Sequence, residues 1–161
     1  MPEMTLLGWF HTVLGSLALI TGFYSLYKYK FISLQETSGR YYIYITFLVA
    51  ASALGIYNQG GFGIAHVLAV LTLVALCGGI IMEKTNLFGF LSKYFQAIGY
   101  TSTLLFHMIP AITDFLRRLP VGDPFIDSFE DPLLANFHLA FLLIYLVGII
   151  LQMYWLKKSG Q

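Results

Sequence analysis

Five long apolar stretches constrain this chain more than any other feature of its sequence. None of them contains Lys, Arg or Glu, and their only acidic residue is Asp114. Each stretch is long enough to cross a hydrocarbon core of ~30 Å at ~1.5 Å per helical residue. Because backbone amides in lipid must be hydrogen-bonded within their own segment, the stretches predict helices and not strands. We therefore expect an all-α membrane protein, a bundle of five transmembrane helices over residues 6–27, 41–57, 63–82, 95–116 and 133–156.

The composition excludes a water-soluble globule. Hydrophobic residues make up 58% of the chain and charged residues 11%, against about 25% charged residues in soluble domains. The net charge of +1 and the lack of a basic run exclude nucleic acid as a partner. The single cysteine, Cys77, cannot form an internal disulfide. No linker or repeat divides the chain, so residues 1–161 are expected to form one transmembrane domain in contact with the lipid bilayer.

The lysines and arginines predict an orientation. The first stretch is expected to be a retained helix, because its N-terminal flank lacks the basic residues of a signal peptide. With the N-terminus outside and the C-terminus cytoplasmic, the inner segments hold seven basic residues and the outer segments two, as the positive-inside rule requires. The inner set is Lys28, Lys30, Arg40, Lys84, Lys93, Lys157 and Lys158, and the outer set is Arg117 and Arg118.

Local signals predict where helices begin and chains turn. In the pair Asp131-Pro132, aspartate is expected to cap the fifth helix and proline to occupy its first position. The adjacent glycines in residues 58–61, Asn-Gln-Gly-Gly, predict a tight outer turn. Pro110 is expected to kink the fourth helix and to leave the Phe106 carbonyl without its helical donor; if the helix ended there, His107 would lie at a shallower depth.

Four histidines, one in each of four predicted helices, are the candidate functional residues. At ~1.5 Å per residue, His11, His66 and His138 are expected roughly 5–8 Å below the outer boundary, and His107 roughly 13 Å below it. Imidazoles in a membrane usually face a bundle interior or a cavity. The alternative for each is an interhelical hydrogen bond to a carbonyl or a hydroxyl group.

Other polar and small residues recur at helical spacing. One stripe on the fourth helix contains Gln96, Thr103, His107 and Asp114, and one on the fifth contains His138, Tyr145 and Gln152. We expect both stripes to face away from lipid. On the first helix, His11, Gly15, Ala18 and Gly22 form a groove of small residues that could admit another helix or a flat ligand such as a porphyrin.

Neutral imidazole is the commonest metal ligand in proteins. The four histidines therefore predict an outer-facing site for Fe, Cu or Zn, or for a b-type haem held by two of them. A ligating imidazole donates its other N–H to an oxygen, for which Asp114, Tyr145 and Asn136 are the candidates. The inner half of the chain has no histidine, which disfavours electron transfer across the membrane between two haems.

Part of the sequence is similar to a known group of proteins. Its pattern consists of residues 11–15 (His-Thr-Val-Leu-Gly), Gly22, Lys28, Gly39-Arg40-Tyr41, and Gly60-Gly61-Phe62 leading to His66. Over roughly the first half of the chain it resembles an uncharacterised family of small multi-histidine bacterial integral membrane proteins. That family has a histidine just before its Gly-Arg pair, where this chain has Thr37-Ser38. The resemblance implies a protein of the bacterial inner membrane with a multi-histidine site, and it implies no mechanism.

Three functions follow as hypotheses. The first is redox chemistry or metal handling at the histidine site, with no catalytic residue identified. The second is an accessory or assembly subunit of a larger membrane complex, or a homo-oligomer, whose histidines make only interhelical hydrogen bonds. The third is a proton-coupled carrier or a quinone-binding protein that uses Gln96, His107 and Asp114. The sequence lacks nucleophile-elbow, phosphate-loop and His-Glu-x-x-His motifs, so hydrolase and nucleotide-dependent activities have no support.

Overall fold

The computed structural model describes residues 4–57 and 61–160. Within these ranges the chain is helical and contains no strand. Five long helices follow one another, and a short 3-10 turn, Gly89–Leu91, precedes the fourth. They are α1 (Leu6–Tyr29), α2 (Thr37–Ala53), α3 (Ile64–Thr85), α4 (Ser92–Arg118) and α5 (Pro132–Ser159). The predicted all-helical class is confirmed.

The helix limits agree with the predicted stretches except at α2, which begins and ends four residues earlier than expected. Its first turn lies against the preceding loop, where a Cβ added to Gly39 would stand 2.2 Å from the Ser33 carbonyl oxygen. This contact between backbones fixes the start of α2, and apolar character alone does not reveal it. The predicted turn at residues 58–61 lies mostly outside the described residues.

The predicted start of α5 is confirmed. Pro132 occupies the first turn, and the Asp131 carboxylate accepts a hydrogen bond of 2.8 Å from the Leu133 amide. This bond satisfies one of the amide groups that a helix N-terminus leaves unpaired. The helix α4 continues through Pro110 to Arg118, as the predicted stretch over residues 95–116 does.

Consecutive helices run antiparallel. Near one end of the α1–α2 pair, the His11 side chain contacts Ser52, and near the other Ser25 donates to Ser38. We call the end at which α1, α3 and α5 begin the histidine end. The opposite end, which carries Glu83, the α1–α2 loop (residues 30–36) and the start of α4, is the glutamate end. All four histidines lie towards the histidine end, with His107 slightly beyond the middle of α4.

Small residues allow the helices to approach closely around a core that includes Tyr42, Tyr100 and Leu104. A Cβ on Gly22 would lie 2.7 Å from both the Leu104 and Tyr42 side chains. The small-residue groove of α1 is therefore filled by α2 and α4, and of its two possible uses the structure shows helix packing.

Among the described residues, three helices are long and apolar enough to cross a membrane: α1, α3 and α5, with mean hydropathies of 1.5, 2.5 and 2.3. Almost none of the α5 span is buried within the bundle, at 6% of its most apolar window. Such an apolar helix requires an apolar medium, and these three helices indicate a protein in contact with a lipid bilayer.

Candidate functional site

His11 contacts α2 through one ring nitrogen. Its Nδ1 lies 3.1 Å from the Val49 carbonyl oxygen and 3.1 Å from the Ser52 hydroxyl oxygen. Since a carbonyl oxygen can only accept, Nδ1 carries the proton and donates it. The other nitrogen, Nε2, is then left with a lone pair, as in many histidines that bind metals.

His107 approaches the same stretch of α2. Its Nε2 is 3.2 Å from the Thr46 hydroxyl oxygen, and its side chain is buried and packs edge-on against the Tyr42 ring. Thr46 and Val49 are three residues apart, or ~4.5 Å along a helix. The imidazoles of His11 and His107 therefore contact neighbouring turns of one helix.

His138 contacts α4 instead. Its Nε2 is 3.3 Å from the Thr113 hydroxyl oxygen, whose own proton is donated to the Ile109 carbonyl at 2.7 Å. The hydroxyl oxygen must accept from the imidazole, so Nε2 carries the proton and Nδ1 holds the lone pair. His138 thus joins α5 to α4 by a hydrogen bond.

His66 has a different environment at the start of α3. Its Nδ1 accepts a hydrogen bond of 3.1 Å from the Gly63 amide, which places the ring proton on Nε2. The ring stacks on Phe62 at a centroid distance of 5.1 Å and packs at a tilt against Tyr57 at 4.6 Å. Within the described residues Nε2 is buried and has no hydrogen-bond partner. This imidazole is a hydrogen-bond donor and, in this state, offers no free lone pair to a metal.

The expected oxygen partners lie elsewhere. Asp114 is half exposed and its carboxylate is 3.6 Å from the Arg118 guanidinium. The Tyr145 hydroxyl is 2.7 Å from the Ser102 hydroxyl, and Asn136 is exposed. In the described part of the chain, no three His, Cys, Asp or Glu side chains lie close enough to hold one metal ion. The four-histidine ligand set remains a prediction.

Both predicted polar stripes avoid the apolar exterior for most of their length. On α5, His138, Tyr145 and Gln152 each bind a hydroxyl group of α4. On α4, Gln96, Thr103 and His107 are buried inside the bundle, whereas Asp114 is exposed. The inference that the stripes face protein is correct for every member except Asp114.

The glutamate end contains a polar cluster that sequence reasoning missed. One Glu83 oxygen accepts from the Ser33 hydroxyl at 2.6 Å and from the Leu34 amide at 2.8 Å. Its other oxygen accepts from the Tyr100 hydroxyl at 2.8 Å. In the sequence, Glu83 is indistinguishable from an ordinary interfacial charge at a helix end. Its partners are 50 and 17 residues away from it, beyond the reach of any helical spacing.

Two glutamines reinforce this cluster. Gln96 of α4 donates to the Ile32 carbonyl at 3.2 Å, and Gln152 of α5 donates to the Lys30 carbonyl at 2.9 Å. The α1–α2 loop is therefore held by side chains of three helices. Beside it lies a cavity of about 590 Å³ with both polar and aromatic walls. The signal available in the sequence was that Gln96 and Gln152 ended the two polar stripes on the same side.

Comparisons with protein-family models, curated proteins and solved structures found no match to this chain.

Proposed function

We propose that all five helices cross the membrane, with the N-terminus outside and the C-terminus cytoplasmic, and that the histidine end binds Fe, Cu, Zn or a b-type haem. Metal handling or redox chemistry in a bacterial inner membrane is the function this site would serve. The observation that carries the proposal is the His11 hydrogen bond to the Val49 carbonyl, which leaves His11 Nε2 as a free lone pair beside His107.

Five spans are supported by α2 and α4, the two helices of lower hydropathy. The 17 residues of α2 would extend ~25 Å, close to the thickness of a hydrocarbon core. The polar side chains Thr46, Gln96 and Thr103 of these helices are buried in the bundle, so they would not contact lipid. The orientation is supported by the charges, because the glutamate end collects the seven basic residues of the predicted inner set.

His11 and His107 are the pair we assign as ligands. Both contact neighbouring turns of α2, and each uses one ring nitrogen for that contact. The hydroxyl and carbonyl oxygens of α2 would orient the rings, as the outer hydrogen bonds of metal-binding histidines do. Two imidazoles from facing helices are the ligands that a b-type haem takes.

An optical spectrum and an elemental analysis of the full chain, purified in mild detergent, test this proposal. We expect a Soret band or close to one metal ion per chain. His11→Gln and His107→Gln should each lower the bound metal or haem at least tenfold, because Gln keeps a hydrogen bond but is a poor ligand. His66→Gln is the matched control and should retain it. Parent protein with neither metal nor haem would contradict the proposal.

The hydrogen bonds of the histidines also support a second function. His11, His107 and His138 each bind an oxygen on another helix, which is what a purely structural role in an accessory or assembly subunit requires. In that case all four His→Gln variants should complement a deletion strain fully. Loss of complementation by His11→Gln or His107→Gln, with normal protein levels, would exclude the structural role.

A further inference from the structure

The cavity of about 590 Å³ lies at the glutamate end, away from the histidines, and none of the histidines lines it. Its walls come from the α1–α2 loop and from the adjoining ends of α1, α3, α4 and α5. The volume falls within the range of about 300–1,000 Å³ that small-molecule sites occupy.

The loop wall of this cavity is fixed in place. Side chains from α3, α4 and α5 bind its backbone or hydroxyl groups, through Glu83, Gln96 and Gln152 respectively. A site whose wall is already ordered loses less conformational entropy when a ligand binds. The loop wall of the cavity is therefore ordered before any ligand binds.

The charges that line the cavity are unbalanced. Two carboxylates, Glu36 and Glu83, face one ammonium group, Lys93. The three hydrogen-bond donors of Glu83 are all neutral groups, so they leave its negative charge uncompensated. In the described part of the chain, none of the three charged groups forms an ion pair within 4.0 Å. Among the side chains that line the cavity, carboxylates outnumber ammonium groups two to one, and this local excess favours a cationic ligand at the wall, whereas the glutamate end as a whole is basic.

Aromatic rings complete the wall. Tyr29, Phe31 and Trp155 line the same cavity as the two carboxylates. The face of an aromatic ring attracts an ammonium group, and the ring also provides apolar surface for an attached hydrocarbon chain. We propose that this cavity binds an alkylammonium group, whose charge is held by Glu36 and Glu83 and whose apolar chain packs against Phe31 and Trp155.

Trp155 provides the signal for a direct test. The chain has two tryptophans, so the Trp9→Phe variant leaves Trp155 as the sole tryptophan. Octylamine, added to this variant in detergent, should change its fluorescence in a saturable way. Octanoate, which has a similar chain and the opposite charge, should not. Equal responses to both compounds would overturn the proposal.

Two charge substitutions should change the affinity for octylamine in opposite directions. Glu36→Gln should weaken octylamine binding about five- to tenfold, because it removes an attractive charge a few ångströms from the ligand. Lys93→Gln should strengthen binding several-fold, because it removes a repulsive one. Glu130→Gln, at the far end of the molecule, is the control and should bind as the parent does. The proposal is overturned if Glu36→Gln and Lys93→Gln shift the affinity in the same direction or leave it unchanged.

Lys93 is exposed and Glu36 is partly exposed, so neither substitution removes a core side chain. If Glu36→Gln does not fold, the strengthening by Lys93→Gln tests the proposal by itself.

An alkylammonium group can belong to a phospholipid or to a free amine. Dihexanoyl phosphatidylethanolamine and dihexanoyl phosphatidylglycerol, compared in the same assay, separate the two sources. Binding of the ethanolamine lipid without the glycerol lipid identifies a lipid headgroup. Binding of octylamine without either lipid identifies a free amine. Equal binding of both lipids would show that the ammonium group is not recognised and would overturn the proposal.

Discussion

At the scale of single residues, the direction of each hydrogen bond decides what a side chain can do next. A carbonyl partner fixes the proton of His11 on Nδ1, and an amide partner fixes that of His66 on Nε2. Two histidines at the same end of the bundle are thereby given opposite capacities, one as an acceptor and one as a donor. Because both residues are histidines, the sequence alone predicted that both would be metal or haem ligands.

Glu83 carries the first prediction at this scale. Glu83→Ala would leave the Ser33 hydroxyl, the Leu34 amide and the Tyr100 hydroxyl without their acceptor. Each unpaired group costs about 1–3 kcal/mol, and each kcal/mol lowers Tm by about 2–4 °C in a chain of this size, so we expect Tm in detergent to fall by at least ~6 °C. Glu83→Gln, which keeps one acceptor oxygen, should lower Tm by less.

The exposed Glu130→Ala serves as the control and should melt like the parent. A Glu83→Ala variant with an unchanged Tm would show that the three contacts do not stabilise the fold.

At the scale of helices, α3 and α4 meet through two glycines. A Cβ on Gly79 would lie 2.6 Å from the Tyr100 ring, and one on Gly99 would lie 2.8 Å from the Ala75 carbonyl oxygen. Distances this short require the helices to separate or the ring to move. Close approach at these two positions is what brings Tyr100 of α4 within reach of Glu83 of α3.

Adjacent glycines in α3 supply a matched pair for the second prediction. Gly79→Ala should destabilise the bundle by about 1–3 kcal/mol, because its methyl group overpacks the contact with Tyr100. Gly78→Ala has no atom within 4 Å of the new Cβ and should be neutral or slightly stabilising. Thermal unfolding of the two variants in the same detergent measures the difference. Equal Tm values would contradict close packing of Gly79 against the Tyr100 ring.

The third prediction concerns the start of α5. Asp131→Ala removes the hydrogen bond to the Leu133 amide and should cost about 1 kcal/mol. Asp127→Ala changes the charge equally, in the exposed loop just before, and should have little effect. The same melting assay compares them, and a larger loss for Asp127→Ala would be evidence against the cap.

At the scale of the whole molecule, the two ends differ in charge. The glutamate end collects Lys28, Lys30, Arg40, Lys84, Lys93, Lys157 and Lys158, against the acids Glu36 and Glu83. The loop between α4 and α5 at the histidine end carries Asp123, Asp127, Glu130 and Asp131. This asymmetry is the basis of the proposed orientation.

Thiol labelling tests the orientation as the fourth prediction. In a Cys77→Ser background, which removes the single native thiol, Asp127→Cys should react with a membrane-impermeant maleimide in intact cells. Lys158→Cys should react only after the cells are permeabilised. The reverse pattern would invert the orientation, and labelling of both residues in intact cells would place both ends outside.

The parts of the fold that depend on local chemistry were predictable. Asp131-Pro132 favours a helix start through its own side chains, and uncharged stretches predict helices because a bilayer admits little else. The start of α2 was not predictable from the sequence, because it depends on contact between Gly39 and the backbone of Ser33. The Glu83 cluster was not predictable either, since its partners come from segments far apart in the chain. Sequence reasoning found the polar side chains of α4 and α5 but not their partners.

The hydrogen bonds that fix the α1–α2 loop can form only in the order in which their partner helices are synthesised. The loop leaves the ribosome before any of the helices that bind it, and it first meets Glu83 when α3 has been made. Tyr100 and Gln96 arrive with α4, and Gln152 reaches the Lys30 carbonyl only near the end of α5. Until then the Lys30 carbonyl lacks the donor that it has in the complete fold. A chain that stops short of Gln152 would therefore lack a contact at a site more than a hundred residues upstream, since the Gln152–Lys30 separation is 122 residues.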